Sequence, residues 1–252
     1  MGKRILVTSG KGGTGKTSVT AGIASCLAAL GRRVVCVDAD VGLRNLDLAL
    51  GLTDTTALDF GDVIAGHVSL DEALSAPPGL PGLSLLAAPS ELRTEQTEPE
   101  AFARLMAGLA ERFDYCFVDS PAGLGAGFRM AAAGCDRALV VSLLEPAALR
   151  DAARAVEALE RVGMTGAALV INRVRPQLLR VPGAANADDA MDTVGLPLLG
   201  VVPEDVAVIC AGNRNVPVIL YTRKGAAQAY LDMARRLDGQ RVPPPRSVKA
   251  RY

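Results

Sequence analysis

Short apolar runs alternate along the chain with longer segments in which apolar residues recur every three or four positions. That spacing is typical of helices that bury one face, and it predicts helices at residues 16–30, 99–112, 146–162 and 222–237. The short runs are apolar almost throughout, as expected of strands that are buried on both faces of a parallel sheet. They predict seven strands, at residues 5–8, 34–38, 83–87, 115–119, 138–142, 168–172 and 198–202.

This order of elements predicts an α/β fold with a mostly parallel β-sheet flanked by helices. Right-handed crossovers place every loop that follows a strand at one edge of such a sheet, and ligands bind outside that edge. The segment APPGLPG at residues 76–82 predicts a loop, and we find no internal repeat and no long linker. We therefore expect a single domain over residues 1–240, followed by a proline-rich basic tail at residues 241–252.

The composition narrows the classes of function that fit this chain. Of the 252 residues, half are apolar and 21% are charged, which excludes an intrinsically disordered chain. The 27 basic residues balance 27 acidic ones, so a general nucleic-acid coat protein is not expected. There is no apolar signal segment and no run of about 18 apolar residues, so the sequence predicts a soluble, intracellular protein.

The cysteines and the single histidine do not show the spacing of a metal site or of a disulfide framework. Five cysteines are scattered along the chain without a CxxC spacing, so we expect neither disulfides nor a zinc site. Cys36 and Cys116 lie in predicted strands, where we expect reduced, buried thiols. His67 is the only histidine and follows Gly66 in a short loop. No cysteine or carboxylate lies at ligand spacing from it, so we expect an exposed side chain and no metal.

A phosphate-binding loop lies between the first predicted strand and the first predicted helix. Residues 10–17, GKGGTGKT, match the pattern G-x-x-x-x-G-K-[ST]. Glycines let backbone N–H groups converge on phosphate oxygens, and the helix N-terminus adds its partial positive charge. Lysine at the seventh position reaches the β- and γ-phosphates, and the hydroxyl after it binds Mg²⁺. The nucleotide contacts predicted here are Gly10, Lys11, Gly12, Gly13, Thr14, Gly15, Lys16, Thr17 and Ser18.

Aspartates follow two of the predicted strands, at the same edge of the sheet as this loop. Asp119 closes the apolar run YCFVD, which is the Walker B arrangement, and Asp38 and Asp40 follow the second strand. Together with Thr17, we expect Asp119 and Asp38 to hold Mg²⁺, the latter through the water shell of the metal. An aspartate at a strand end also caps turns, and for all three residues that structural role stays open.

The second lysine of the loop points to a particular family. Lys11, within KGGTGKT, resembles the deviant Walker A motif of the ParA/MinD family of P-loop ATPases, which have a SIMIBI-type fold. The resemblance implies that Lys11 crosses a dimer interface to the phosphates of the opposite subunit. It also implies that Asp40, in the switch I region, positions the attacking water. The implied reaction is the hydrolysis of ATP with Mg²⁺, with Lys11, Lys16 and Asp40 as catalytic residues.

Further segments resemble the MinD branch of this family, over residues 3–237. They are DADVGLRNLD at 38–47, DFGDVIAG at 59–66, LDEAL at 70–74, DSPAG at 119–123, VPED at 202–205 and NVPVIL at 215–220. The resemblance implies an ATPase switch that places the division septum. It also implies a homodimer in the ATP state, a division-inhibitor partner of the MinC type, a topological regulator, and a location in the cytoplasm or on the inner face of the cell membrane.

The resemblance also suggests where the nucleoside binds. It places the base beside the ends of the last two predicted strands, at Asn172, Arg173, Pro203, Glu204 and Asp205. It assigns Asn45 of switch I to a phosphate or the ribose, and Asp151 to the dimer and partner surface. Capping roles for Asn172 and Asp151 stay open.

The last residues depart from the MinD pattern. That branch usually ends in a short amphipathic helix, whereas residues 241–252 read RVPPPRSVKARY. Three successive prolines stop a helix, and the four cations of this segment would attract anionic lipid by about 1 kcal/mol each. We therefore expect only weak membrane binding.

Other members of the wider family remain as alternatives. A ParA-like DNA-segregation ATPase or a flagellar-number ATPase would keep the same chemistry without the membrane, although SPAG at residues 120–123 disfavours the ParA type and nucleic acid is not an expected partner. An iron–sulfur reductase would need cysteines in residues 120–128, where there are none.

Overall fold

The computed structural model describes residues 1–42, 44–52, 58–90, 98–177, 181 and 184–243. Within these ranges there are eight strands: β1 (Lys3–Thr8), β2 (Val34–Asp38), β3 (Leu74–Ser75), β4 (Leu83–Leu86), β5 (Tyr115–Asp119), β6 (Arg137–Ser142), β7 (Ala167–Val174) and β8 (Leu198–Pro203). The same ranges contain eleven helices: α1 (Lys16–Ala29), α2 (Leu46–Leu50), α3 (Phe60–Ile64), α4 (Leu70–Ala73), α5 (Pro99–Arg112), α6 (Ala126–Ala133), α7 (Pro146–Arg161), α8 (Ala187–Val194), α9 (Val206–Asn213), α10 (Val218–Tyr221) and α11 (Ala226–Leu237).

The strands form one sheet in the order β3-β4-β2-β5-β1-β6-β7-β8. All neighbours are parallel except β3, which pairs antiparallel with β4. Strand β1 is central, between β5 and β6, and Val7 of β1 lies opposite Asp119 of β5. On the other side of β5, Asp38 of β2 lies opposite the same residue. The loop after β1 and these two carboxylates therefore meet at one edge of the sheet.

Helices cover both faces of the sheet and enclose two apolar cores. On one face, α5, α6, α7 and α8 pack through residues such as Phe102, Phe128 and Leu159. On the other face, α1, α10 and α11 pack through residues such as Ile23 and Tyr230. The contact between α1 and α11 is so close that a Cβ on Gly22 would lie 2.4 Å from the Tyr230 ring. Helix α1, which carries the end of the phosphate loop, is thus held on both sides.

The predicted fold class is confirmed, and all seven predicted strands are present with ends shifted by two residues at most. The predicted helix at 222–237 begins instead at Ala226, because Gly225 before it has a positive φ of 57° that a continuing helix does not adopt. Strand β7 continues to Val174, so Asn172 and Arg173 lie inside the strand and not at its end.

Several elements had no signal in the sequence pattern. Strand β3 has only two residues, and most of the unpredicted helices have four or five. The sequence of α9, VAVICAGN, is apolar on nearly every side and so shows no helical stripe. It nevertheless lies on the surface, with Val206 70% and Ile209 65% exposed.

Hydrogen bonds from Arg236 link the first residues of the tail to β8, at the edge of the sheet. The Arg236 guanidinium donates to the carbonyls of Val242 at 3.0 Å, Pro243 at 2.9 Å and Leu199 of β8 at 2.8 Å. The predicted weak membrane binding rests on residues 241–252, of which 244–252 lie outside the described residues. Among the helices that the structure describes, none is both long enough and apolar enough to cross a membrane.

All five cysteines are free thiols. Burial raises the pKa of the Cys26 and Cys116 thiols to about 12, which keeps them protonated. Cys36 and Cys116 are buried, as predicted from the sequence, whereas Cys135 and Cys210 are only partly buried.

Candidate functional site

The phosphate loop joins β1 to α1 through two glycines in the left-handed region. Gly13 has a φ of 79° and Gly15 a φ of 90°, which other residues adopt only at a cost. Gly15 precedes α1, and no side chain caps this helix. The first N–H groups of α1 and its positive dipole end are therefore available for an anion.

The two lysines of the loop lie in different surroundings. Lys16 is only 8% exposed, and its Nζ donates to Ser9 Oγ over 3.3 Å. The Ser9 hydroxyl in turn donates to the carbonyl of Lys11 over 2.6 Å. Lys11 is half-buried and forms no ion pair with any of the described residues.

Helix α7 closes on the start of the loop. A Cβ on Gly10 would lie 1.9 Å from the carbonyl oxygen of Asp151, so only glycine fits there. The Asp151 carboxylate lies 3.5 Å from Arg154 of the same helix. The structure therefore brings Asp151 to the phosphate loop, while its predicted role at a dimer or partner surface stays a prediction.

Asp119 of β5 is the buried carboxylate of the site. Its Oδ2 accepts the Thr17 hydroxyl at 2.6 Å and its Oδ1 accepts the Thr20 hydroxyl at 3.2 Å. Burial raises the pKa of Asp119 to about 7, and the neighbouring Asp38 adds to the shift, while the Thr17 hydrogen bond and Lys16 oppose it. A carboxylate so deprived of water is stabilised by a cation.

Asp38 and Asp40 differ in what they contact. The Asp38 oxygens accept the backbone N–H groups of Asp40 at 2.9 Å and Leu46 at 3.2 Å, which shapes the turn after β2. Burial raises the pKa of Asp38 to about 6. Asp40 is half-buried, and burial raises its pKa while Lys16 lowers it. Asp38 thus has a turn-forming role already, and Asp40 stands beside the lysine of the loop.

The donor set of this edge suits Mg²⁺. The hydroxyl of Thr17 and the carboxylate of Asp119 are hard oxygen ligands, and Mg²⁺ takes few protein ligands beside phosphates and water. No cluster of three or more His, Cys, Asp or Glu side chains that could hold a metal exists among the described residues. His67 is 60% exposed and lies 3.8 Å from Asp62.

The predicted base contacts mostly have structural partners of their own. Asn172 is 3% exposed, and its Nδ2 donates to the carbonyl of Thr14 over 2.8 Å. Glu204 accepts from Arg175 at 2.5 and 3.1 Å. Asp205 accepts the N–H of Ala207 and that of Ala226, both at 2.9 Å. Arg173 is exposed with a φ of 52°, and Pro203 ends β8.

A groove of about 620 Å³ opens beside the start of α1. It is lined by Thr17 and Ser18 of α1, by Asn45 and Leu48, and by residues of α9. Asn45 is exposed and makes no side-chain cap of α2. Thr17 therefore links this groove to the phosphate loop and, through its hydrogen bond, to Asp119.

Two contacts of this site were not predicted from the sequence. Thr20 lies one helical turn after Thr17 on α1 and shares Asp119 with it, so the spacing of three was an available signal. The link between Asn172 and the loop joins residues 158 positions apart, and no local pattern indicates it.

The chain is similar to known proteins over most of its length. A domain family described as the CobQ/CobB/MinD/ParA nucleotide binding domain matches residues 5–218. The septum site-determining protein MinD of Synechocystis sp. is 38% identical over 244 residues, which cover 96% of this chain and 92% of that protein.

Two solved structures are similar throughout. The MinC:MinD cell division protein complex of Aquifex aeolicus contains a chain with a TM-score of 0.90 and 34% identity, covering 97% of this chain and 98% of that one. MinD of Pyrococcus horikoshii, complexed with Mg-ADP, has a TM-score of 0.82 and 29% identity, covering 94% and 96%.

Proposed function

The chain belongs to the MinD branch of the CobQ/CobB/MinD/ParA nucleotide-binding family, and on that basis we propose that it hydrolyses ATP as a dimeric switch in placing the division septum. The observation that carries the proposal is the juxtaposition at the carboxyl edge of the sheet. There Lys16 of the loop, the Thr17–Asp119 hydrogen bond of 2.6 Å and Asp40 occupy one site.

The residues divide into those that bind and those that drive the reaction. The N–H groups from Gly10 to Ser18 cradle the phosphates, and the buried Lys16 neutralises their charge. Bound Mg²⁺ supplies further neutralisation of the β- and γ-phosphates, and Thr17, Asp119 and Asp38 would hold it, the last through water. Asp40 orients the attacking water, since its carboxylate is half-buried beside Lys16.

Lys11 completes the site from the opposite subunit of an ATP-bound homodimer. Its backbone is held by Ser9 at 2.6 Å, whereas its ammonium group has no carboxylate partner among the described residues. A cation that the protein leaves unpaired beside a phosphate site is available to neutralise charge in trans. Hydrolysis by a monomer is therefore slow.

The nucleoside lies along the edge that Asn172, Arg173, Pro203, Glu204 and Asp205 border, with Asn45 near the ribose or a phosphate. The groove supports the assignment of Asn45, because Thr17 and Ser18 of the phosphate-binding region line the same groove. The other five residues do not line it, and their assignment rests on the family resemblance.

The proposed partners follow from the relatives. The Aquifex structure joins MinD to MinC, which supports a MinC-type division inhibitor as a partner of this chain. A topological regulator is proposed from the resemblance of the sequence alone. We place the protein in the cytoplasm with weak attachment to the inner face of the cell membrane. Sedimentation with anionic liposomes tests the attachment: a small pelleted fraction in Mg-ATP and none in Mg-ADP is expected, and equal fractions would contradict it.

The decisive experiment measures ATP hydrolysis per subunit across a range of protein concentrations. We expect the specific rate to rise with concentration, because two subunits build each site. Lys11→Ala should bind ATP but hydrolyse it about a hundredfold more slowly, the usual loss on removing one charge-stabilising group. Arg161→Ala, at an exposed arginine at the C-terminal end of α7, is the matched control and should behave like the unmodified protein. A Lys11→Ala rate equal to that of the control would refute the dimeric mechanism.

A further inference from the structure

The Asn172 side chain lies beneath the phosphate loop. It projects from β7, is almost wholly buried, and donates from Nδ2 to the carbonyl of Thr14 over 2.8 Å. A Cβ built on Gly15 would lie only 2.3 Å from the same nitrogen. The amide therefore fills the space under the peptide that joins Thr14 to Gly15, and the loop approaches it as closely as a glycine allows.

This contact fixes the orientation of a peptide that faces the phosphates. In a trans peptide the C=O and the following N–H point in opposite directions. When Asn172 holds the carbonyl of Thr14 inward, the N–H of Gly15 points outward, away from β7. No backbone acceptor among the described residues takes that N–H. It is therefore presented to a ligand at the left-handed turn from which α1 starts.

Few other hydrogen bonds hold the loop at this turn. Thr14 is only 2% exposed, and its own hydroxyl has no hydrogen-bond partner in the described part of the chain. Loss of the Asn172 donor would leave the Thr14 carbonyl buried without a partner, which is costly. The peptide would then rotate to find another donor, and the direction of the Gly15 N–H would be lost.

We propose that Asn172 is a positioning residue for the phosphate loop. It acts on the triphosphate through the Thr14–Gly15 peptide, whose orientation it fixes. This inference rests on the proposed nucleotide-binding function and changes the role of Asn172 from a reader of the base to a support of the loop. It follows that the residue contributes to the binding of ligands that have no base.

The experiment compares Mg-ATP with Mg-tripolyphosphate, which carries the phosphates alone, as ligands in calorimetric titrations. Asn172→Leu keeps the branched shape of the side chain, with bulkier methyl groups, and removes the donor. Asn172→Ala, which is smaller, is a second variant in case the first fails to fold. We expect both ligands to bind about tenfold more weakly, and by the same factor. A loop that is competent only part of the time lowers every phosphate affinity by that fraction.

A control separates this effect from a general loss of stability. Asn186 caps α8 through the N–H groups of Asp188 and Asp189, and α8 packs on the opposite face of the sheet from α1. Asn186→Ala should lower the melting temperature but leave both affinities unchanged.

The outcomes are distinct. Equal weakening of both ligands supports the inference. Weakening of ATP alone would mean that Asn172 reads the base, and no weakening of either would mean that the contact is incidental, so both results overturn it. If the unmodified protein bound neither ligand, the proposed function itself would fail.

Discussion

Removing the Asp205 carboxylate tests how the loop after β8 is held. Its Oδ1 accepts the N–H of Ala207 and so caps α9, while its Oδ2 accepts the N–H of Ala226, the first residue of α11, both at 2.9 Å. Gly225, the residue before α11, has no side chain with which to cap that helix. A Cβ there would lie 2.0 Å from Asp205 Oδ2. One carboxylate thus serves two helix N-termini.

The magnitude follows from these two contacts. An N-cap side chain contributes about 1 kcal/mol, and a hydrogen bond to a charged group contributes about 1.5 kcal/mol. Asp205→Ala should therefore lower the free energy of unfolding by about 2.5 kcal/mol. Asp205→Asn keeps one acceptor oxygen, so it should cost about 1 kcal/mol. At about 2–4 °C per kcal/mol for a chain of this size, the alanine variant should melt about 5–10 °C lower.

Urea unfolding followed by circular dichroism, without nucleotide, measures this difference. Glu204→Ala is the matched control, because the neighbouring carboxylate pairs with Arg175 on an exposed surface and such pairs contribute little. The reasoning would be refuted if Asp205→Ala were as stable as Glu204→Ala, or if the asparagine and alanine variants lost equal stability.

Three further outcomes are expected. Gly22→Ala should destabilise the protein by about 2 kcal/mol in thermal melts, because its Cβ would lie 2.4 Å from the Tyr230 ring; an unchanged melting temperature would contradict the tight contact of α1 with α11. Gly108→Ala, in the exposed interior of α5 with nothing within 4 Å of a new Cβ, should instead stabilise by about 0.5–1 kcal/mol, and a loss of stability would show a hidden contact. Burial raises the pKa of Asp119 to about 7 and of Asp38 to about 6, above the unfolded value of about 3.9, so the native state binds more protons than the unfolded state. The free energy of unfolding without nucleotide or magnesium should therefore fall as pH rises from about 4 to 7, and Asp119→Asn should flatten that dependence in urea titrations; an unaltered slope would assign it to other groups.

Local signals in the sequence were sufficient for the framework of the protein. Each buried strand is a continuous apolar run, so its identity does not depend on its neighbours, and α5 was predicted with both ends correct at Pro99 and Arg112. The phosphate loop could likewise be recognised locally, because its glycines and Lys16 follow one another in the sequence. Alternation of strand and helix then implied the carboxyl edge at which Asp38 and Asp119 meet.

The hydrogen bonds that stabilise that edge could be seen only in the tertiary structure. Asn172 reaches Thr14 across 158 positions of the chain, and Asp205 reaches Ala226 across 21. An asparagine after an apolar run has the same local appearance whether it reads a base, caps a turn or supports a loop. Its role depends on which buried backbone group lacks a partner nearby, and that is decided when strands and helices that are distant in sequence pack together.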